Sequence, residues 1–224
     1  MSFDAYSMLL WSLSTTLYAA LILLCWRQGI HQLLPRFMLY LGWDLASTLG
    51  AYPAIMLFGQ GSSEYITYYF LSGAIRNILQ ALALIEIARL TRVRVGSWVW
   101  AGAVALGLLF LASIDSAPGV WVRSQLLQAG FLHLTLWLLL GIMLESLRES
   151  SLRLGWNVAG VLILVFVDLG TRYALFVGQV FIPIDYSLLR WLFQPATIIS
   201  LAVAMSCMRR LEAPVFLAPR EEAA

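Results

Sequence analysis

The chain contains no lysine; all 14 of its basic residues are arginine. Histidine and cysteine occur twice each, and charged residues make up 12% of a sequence that is 61% hydrophobic. Soluble domains carry about 25% charged residues, so this balance excludes an ordinary water-soluble core and surface. Cys25 and Cys207 fall at the ends of apolar stretches, on the side that the arginine pattern assigns to the reducing compartment, so structural thiols are expected and a disulfide is not. Only His133 lies within an apolar stretch, since His31 sits in a connection, which excludes bis-histidine haem ligation within the chain. HExxH, CxxC, GxSxG and P-loop patterns are all missing, so no metal, cofactor or catalytic residue is expected and the chain reads as a non-enzyme. The connections between apolar stretches are too short for a kinase or cyclase domain, so any signal would have to pass to another chain. The net charge of +2 comes from those connections and indicates topology, with no nucleic-acid partner implied.

What is present is seven long apolar stretches: Ala5–Cys25, Leu34–Phe58, Tyr65–Leu90, Trp98–Ile114, Val120–Leu144, Trp156–Phe181 and Tyr186–Met208. At about 1.5 Å rise per residue each is long enough to cross a hydrocarbon core of about 30 Å, the fourth only barely. The expected fold is therefore an all-α, integral-membrane bundle of seven transmembrane helices, a single domain over residues 1–224 with a short tail at 209–224.

Arginine placement orients it. Arg27, Arg36, Arg89, Arg92, Arg94, Arg148, Arg153, Arg209, Arg210 and Arg220 lie between the stretches or just inside their ends, all on alternate connections or the tail. The remaining connections, Gly59–Glu64, Asp115–Gly119 and Ile182–Asp185, have no arginine and one carboxylate each. The positive-inside rule then puts the N-terminus outside and the C-terminus in the cytoplasm of a bacterial inner membrane. The opening Met1-Ser2-Phe3-Asp4 lacks a basic n-region, so the first stretch reads as a span and not a cleaved signal. Trp26, Trp98, Trp100, Trp121, Trp156 and Trp191 lie near segment ends, as an interfacial belt requires.

Pro35 suits a first helical turn, while Pro53 and Pro195 lie inside the second and seventh stretches and should kink them. Stretches 1–3 and 5–7 share an orientation, with the fourth as an inverting link. Trp43-Asp44-Leu45, Gly59-Gln60 and Glu64-Tyr65 are echoed by Val167-Asp168-Leu169, Gly178-Gln179 and Asp185-Tyr186. A 3+1+3 parallel repeat would place a shared site near the midplane, between the halves.

Charges within the stretches each need a reason, because a charge at the bilayer centre costs at least about 2.5–3.5 kcal/mol on insertion scales. Asp44, Arg76 and Asp168 fall near the midplane. Arg123, Arg172 and Arg190 lie in the outer half, and Glu86 lies one turn inside the cytoplasmic boundary. Helical spacing groups polar residues into stripes: Tyr40, Asp44, Ser47 and Thr48; Tyr69, Ser72, Arg76 and Gln80; Asn157, Asp168, Arg172 and Gln179; Tyr186, Arg190, Gln194 and Thr197. One reading is structural. Asp168 and Arg172, at i and i+4, can neutralise one another, Arg76 can pair with Asp44 or Asp168, and Arg123 and Arg190 can snorkel to headgroups. A second is a binding site on Arg76, Asp168, Arg172, Arg190, Tyr69 and Gln194, where converging arginines outnumber carboxylates and would receive a carboxylate, phosphate or anionic lipid from outside. A third is a proton or ion pathway through Asp44, Asp168 and Glu86. His133 reads as a hydrogen-bonded core histidine.

The seven-helix plan is similar to that of microbial rhodopsins and seven-helix receptors. Retinal attachment needs a lysine on the last helix, however, and there is none. The 3+1+3 plan resembles the SWEET and PQ-loop transporters in architecture only; their Pro-Gln signature is missing, and Gln194-Pro195 stands in reverse order. Tyr68-Tyr69-Phe70, Ile85-Glu86-Ile87, Val122-Arg123 with Gln128, and Leu154-Gly155-Trp156 resemble a group of uncharacterised seven-span bacterial membrane proteins common in acidobacteria. That resemblance covers helices 3 to 6 and implies no activity.

The expected function is a non-enzymatic, receptor-like binding or accessory module in the lipid bilayer. Its arginine-rich, outward-facing interior would take an anionic small molecule, an anionic lipid or a partner helix, and it would act with another membrane protein. The alternative is a small-solute or proton-coupled transporter of 3+1+3 type.

Overall fold

The computed structural model describes residues 5–59, 62–90, 95–117, 119–148, 156–180 and 186–209. Their elements are α1 (Ala5–Arg27), α2 (Ile30–Leu33), α3 (Pro35–Phe58), α4 (Ser63–Leu90), α5 (Ser97–Ser116), α6 (Gly119–Arg148), α7 (Trp156–Val180) and α8 (Tyr186–Arg209). No strand occurs among the described residues, and the fold is all-α. Segments Met8–Arg27, Ser63–Leu90, Ser97–Ser116 and Gln125–Glu145 are long and apolar enough to cross a membrane; Gly160–Thr171 and Pro195–Met208 are shorter apolar stretches. The seven long helices match the seven apolar stretches to within a few residues at either end.

The single turn α2 is the element that the apolar pattern does not show. α1 ends where Gln28 and Gly29 N–H groups fold back onto the Leu24 and Trp26 carbonyls, at 3.0 and 3.1 Å. Gly29 takes φ 71°, a left-handed conformation that costs glycine little because it has no Cβ. The chain then makes one helical turn, whose Ile30, together with Leu34 one turn on, is buried at the base of the bundle. Pro35 opens α3, and Leu34 provides no side-chain cap. Glu86 of α4 does so instead: its carboxylate accepts the backbone N–H of Arg36 at 3.0 Å and of Phe37 at 3.2 Å. An anion there satisfies two orphaned donors and complements the positive end of the helix dipole.

Six helices close a ring through contacts α1–α3, α3–α4, α4–α6, α6–α7, α7–α8 and α8–α1. α5 stands outside it against α6, held where Trp137 donates to the Val99 carbonyl at 2.8 Å and Trp98 to Glu145 at 2.7 Å. Val104, Leu108, Leu109 and Leu111 of α5 face outward. Exchanging α1, α3 and α4 for α6, α7 and α8 turns each ring contact into another: α1–α3 becomes α6–α7, α3–α4 becomes α7–α8, and α4–α6 becomes α8–α1. The core inside the ring is built from Leu21, Phe37, Leu41, Leu84, Ile87, Leu164, Leu169, Leu201 and Met208, all fully buried. Two close approaches set its tightness. Cys25 Sγ donates to Met208 Sδ at 3.3 Å between α1 and α8, and a Cβ on Gly160 of α7 would lie 2.8 Å from Cys207 Cβ of α8.

Candidate functional site

Tyr40, Asp44 and Ser47 lie about one and two turns apart on α3, so they share the face that α3 turns inward. All three are buried, Asp44 to 2% exposure. Arg76 and Gln80, one turn apart on α4, meet that face. Arg76 Nε forms an ion pair with Asp44 Oδ1, and Arg76 Nη2 donates to Ser47 Oγ at 2.9 Å. Ser47 and Thr48 hydroxyls donate to the Asp44 backbone carbonyl at 3.0 and 2.7 Å, so the guanidinium is anchored to the same turn twice. From α1 the Tyr18 phenol interacts electrostatically with the Asp44 carboxylate. Tyr68 donates to the Ser47 carbonyl at 2.8 Å, reaching it over Gly50, where a Cβ would meet the phenol oxygen at 2.6 Å.

Asp168 approaches from the other side of the ring. α7 packs chiefly on α8, yet Asp168 Oδ2 accepts from the Tyr40 hydroxyl of α3 at 3.3 Å and from Gln80 Nε2 of α4. These bonds therefore cross the interior through side chains and tie the second half of the ring to the first. The Arg76 guanidinium interacts electrostatically with both carboxylates. Gln80 is completely buried, and its Oε1 has no hydrogen-bond partner. A buried acceptor left unmade costs about 1–3 kcal/mol. Among the described side chains, two carboxylates share one guanidinium.

The expected site residues divide as follows. Asp44, Arg76 and Asp168 come together. The side chains of Arg172, Arg190 and Gln194 lie outside the described ones. Tyr69 is 45% exposed and meets Phe70 edge-on, away from the cluster; its neighbour Tyr68 takes the inward position. Glu86 lies further along α4, about 15 Å from Arg76 by helical rise, in its capping role. Arg123 is exposed and donates to the Ala117 carbonyl at 3.1 Å, so it does not converge with Arg76. His133 Nδ1 donates to the Ala129 carbonyl at 2.7 Å, and its ring lies between Phe110 and Tyr173.

Tyr18, Tyr40, Ser47 and Gln80 join the cluster without having been singled out as site residues. Gln80 continues the Arg76 stripe by one turn and Tyr40 precedes Asp44 by one, so both carried a periodic signal. Tyr18 carried none beyond being a phenol in the middle of an apolar helix. A second polar seam, where Thr135 donates to the Asn77 carbonyl at 3.1 Å and Asn77 Nδ2 to the Gln128 carbonyl at 3.4 Å, joins α4 to α6. Its bonds end on backbone and serve packing.

Comparison with protein-family models, with curated proteins and with solved structures finds no match to this chain. The site must be read from its chemistry. No group of three His, Cys, Asp or Glu side chains is placed to hold a metal among the described residues. What the cluster offers is two buried carboxylates, one guanidinium, two phenols and an amide. Such a set can hold and release a proton, exchange ion-pair partners and join helices.

Proposed function

We propose that the chain is a seven-span protein of the bacterial cytoplasmic membrane, N-terminus outside and C-terminus inside, acting as a non-enzymatic, proton-coupled small-solute transporter of 3+1+3 type. One observation carries the reading. α3 and α7, the second helices of the two halves of the ring, each bring a buried aspartate, Asp44 and Asp168, to its interior. Transporters built from repeats bind substrate and coupling ion at such a junction, near the membrane midplane. Ionisable residues there are costly in lipid and mark pathways and relays.

The test is reconstitution into liposomes holding a pH-sensitive dye, with small sugars, amino acids and carboxylic acids added singly outside. Solute-dependent proton entry that disappears in Asp44→Asn and Asp168→Asn supports the reading; proton-independent uptake, or none for any class, removes it. A second reading is favoured by the mutual bonding of the side chains around Asp44, which fills that level of the interior as a scaffold would. There the chain is an accessory module acting with another membrane protein, its outer interior at Arg76, Asp168, Arg172 and Arg190 receiving an anionic group or a partner helix. Mass spectrometry of material purified in nanodiscs at native expression separates the two, because a stoichiometric partner protein belongs to the second only.

A further inference from the structure

An arginine presents two hydrogen-bonding edges, a side-on edge made by Nε and Nη2 and an end-on edge made by Nη1 and Nη2. In Arg76 the side-on edge is taken by α3, with Nε on the Asp44 carboxylate and Nη2 on Ser47 Oγ at 2.9 Å. The end-on edge has no partner among the described residues, and the side chain is 22% exposed. Gln80, one turn further along α4, is completely buried; it gives Nε2 to Asp168, while its Oε1 takes no hydrogen bond. We propose that the end-on edge of Arg76 and Oε1 of Gln80 form the binding site for a small carboxylate that carries a hydrogen-bond donor of its own, an amino or hydroxy acid.

The inference deepens the transport reading by naming the solute class, and it rests on that reading only for movement across the membrane. A planar carboxylate matches the end-on fork with two parallel N–H···O bonds, which an ammonium group could not offer. Asp44 and Ser47 do not use up the fork. By holding the opposite edge they fix the guanidinium plane, so the fork is oriented before a ligand arrives. A donor on the bound acid satisfies the orphaned Oε1 of Gln80. An acid of the same size without that donor leaves Oε1 unpaired and is rejected by the difference.

Access runs along the inner face of α4. Tyr69 lies within about 20° of Arg76 in helical phase and two turns nearer Ser63, at the outer end in the topology proposed above. Along this face Gln80 is fully buried, Arg76 is partly open and, past the short buried Ser72, Tyr69 is 45% exposed. Exposure therefore grows toward the outer end, and a solute arriving from there meets Tyr69 first and Arg76 next. Beside this route the Tyr68 phenol, on the Ser47 carbonyl at 2.8 Å, closes the seam between α3 and α4. Gln80 stands one turn deeper than Arg76, where the face is closed.

The experiment is equilibrium binding of radiolabelled L-alanine, L-lactate and propionate to the full chain in nanodiscs of zwitterionic lipid. The acids share a carboxylate and are similar in size, but only alanine and lactate add a donor. Alanine or lactate should bind about tenfold more tightly than propionate, the worth of one hydrogen bond, and whichever binds names the donor as ammonium or hydroxyl. Gln80→Leu should bring that acid down to the propionate level and leave propionate unchanged. Arg76→Lys, which keeps the charge and loses the fork, should weaken all of them. Should either variant fail to fold, phenylglyoxal decides in the wild-type protein, since it attacks the Nη pair of an accessible arginine. Arg76, identified by mass spectrometry, should be modified in the free protein and protected by the acid that binds. Equal binding of the acids, binding of none, or an Arg76 that is unmodified or unprotected each overturns the site. So does a retained anionic phospholipid that the acids do not displace. Binding without uptake into liposomes would remove transport and leave the site standing, while uptake whose preference survives Gln80→Leu and Arg76→Lys would do the reverse.

Discussion

Replacing Arg76 with leucine removes the only described cation beside a carboxylate that is 2% exposed. Breaking a buried pair from one side costs about 3–5 kcal/mol, because the surviving charge has lost both water and partner. The lower part of that range is expected, since the Arg76 side chain is itself 22% exposed and its removal admits some solvent to Asp44. Loss of the Nη2 bond to Ser47 adds about 1 kcal/mol. The sum is about 4 kcal/mol, and at about 1.4 kcal/mol per decade it lowers the folded-to-unfolded ratio by roughly a thousandfold. Equilibrium unfolding in mixed detergent micelles, followed by the fluorescence of the 9 tryptophans, measures it. The double variant Arg76→Leu with Asp44→Leu buries no lone charge and should recover most of the loss. A single-variant cost under about 1 kcal/mol, or a double variant no better than Arg76→Leu, would refute the claim that this pair holds α3 to α4.

Glu86→Ala should cost about 1–2 kcal/mol through loss of the α3 cap, and hydrogen exchange should quicken at the Arg36 and Phe37 amides before elsewhere in α3. Glu86→Gln, which keeps an acceptor, should lose about half as much. Gly160→Ala places a methyl group 2.8 Å from Cys207 Cβ, so it should destabilise the α7–α8 contact by about 1–3 kcal/mol and be partly rescued by Cys207→Gly. In a chain carrying Cys25→Ala and Cys207→Ala, an impermeant maleimide should label Ser62→Cys from outside the cell and Ser151→Cys only after the inner face is opened. The reverse pattern would invert the topology.

The seven long helices were legible because apolar length is a local property. α2 was not, since four residues carry too short a period, and what makes them helical is the joint burial of Ile30 and Leu34. The ring is non-local, although one of its features had a trace: Trp98–Ile114 has no polar residue in its interior until Ser113, and α5 is the helix left outside. The pairing of Arg76 with Asp44 was among the alternatives that spacing allowed. The reach of Asp168 to Gln80 was not, because it depends on how far apart α7 and α4 stand. Tyr69 is closer in helical phase to Arg76 than Tyr68 is, which made it the natural choice for the site. Tyr68 wins because its phenol passes over Gly50 to the Ser47 carbonyl.

The count of interior charges depends on which arginines converge. Counting along the sequence, Arg76, Arg123, Arg172 and Arg190 outnumber Asp44 and Asp168, and that excess pointed to an anion. Such a sum treats every charge as though it converged. An arginine near a helix end has a long stem and a nearby unsatisfied carbonyl, and Arg123 uses both to bond Ala117 without entering the bundle. Asp44 and Asp168 have short side chains on the inner faces of α3 and α7 and no such exit, so the bundle must satisfy them in place. Short mid-helix carboxylates therefore say more about an interior than long arginines near its rim. Among the described side chains, Asp44, Asp168 and Arg76 are the charges that the bundle holds in this way.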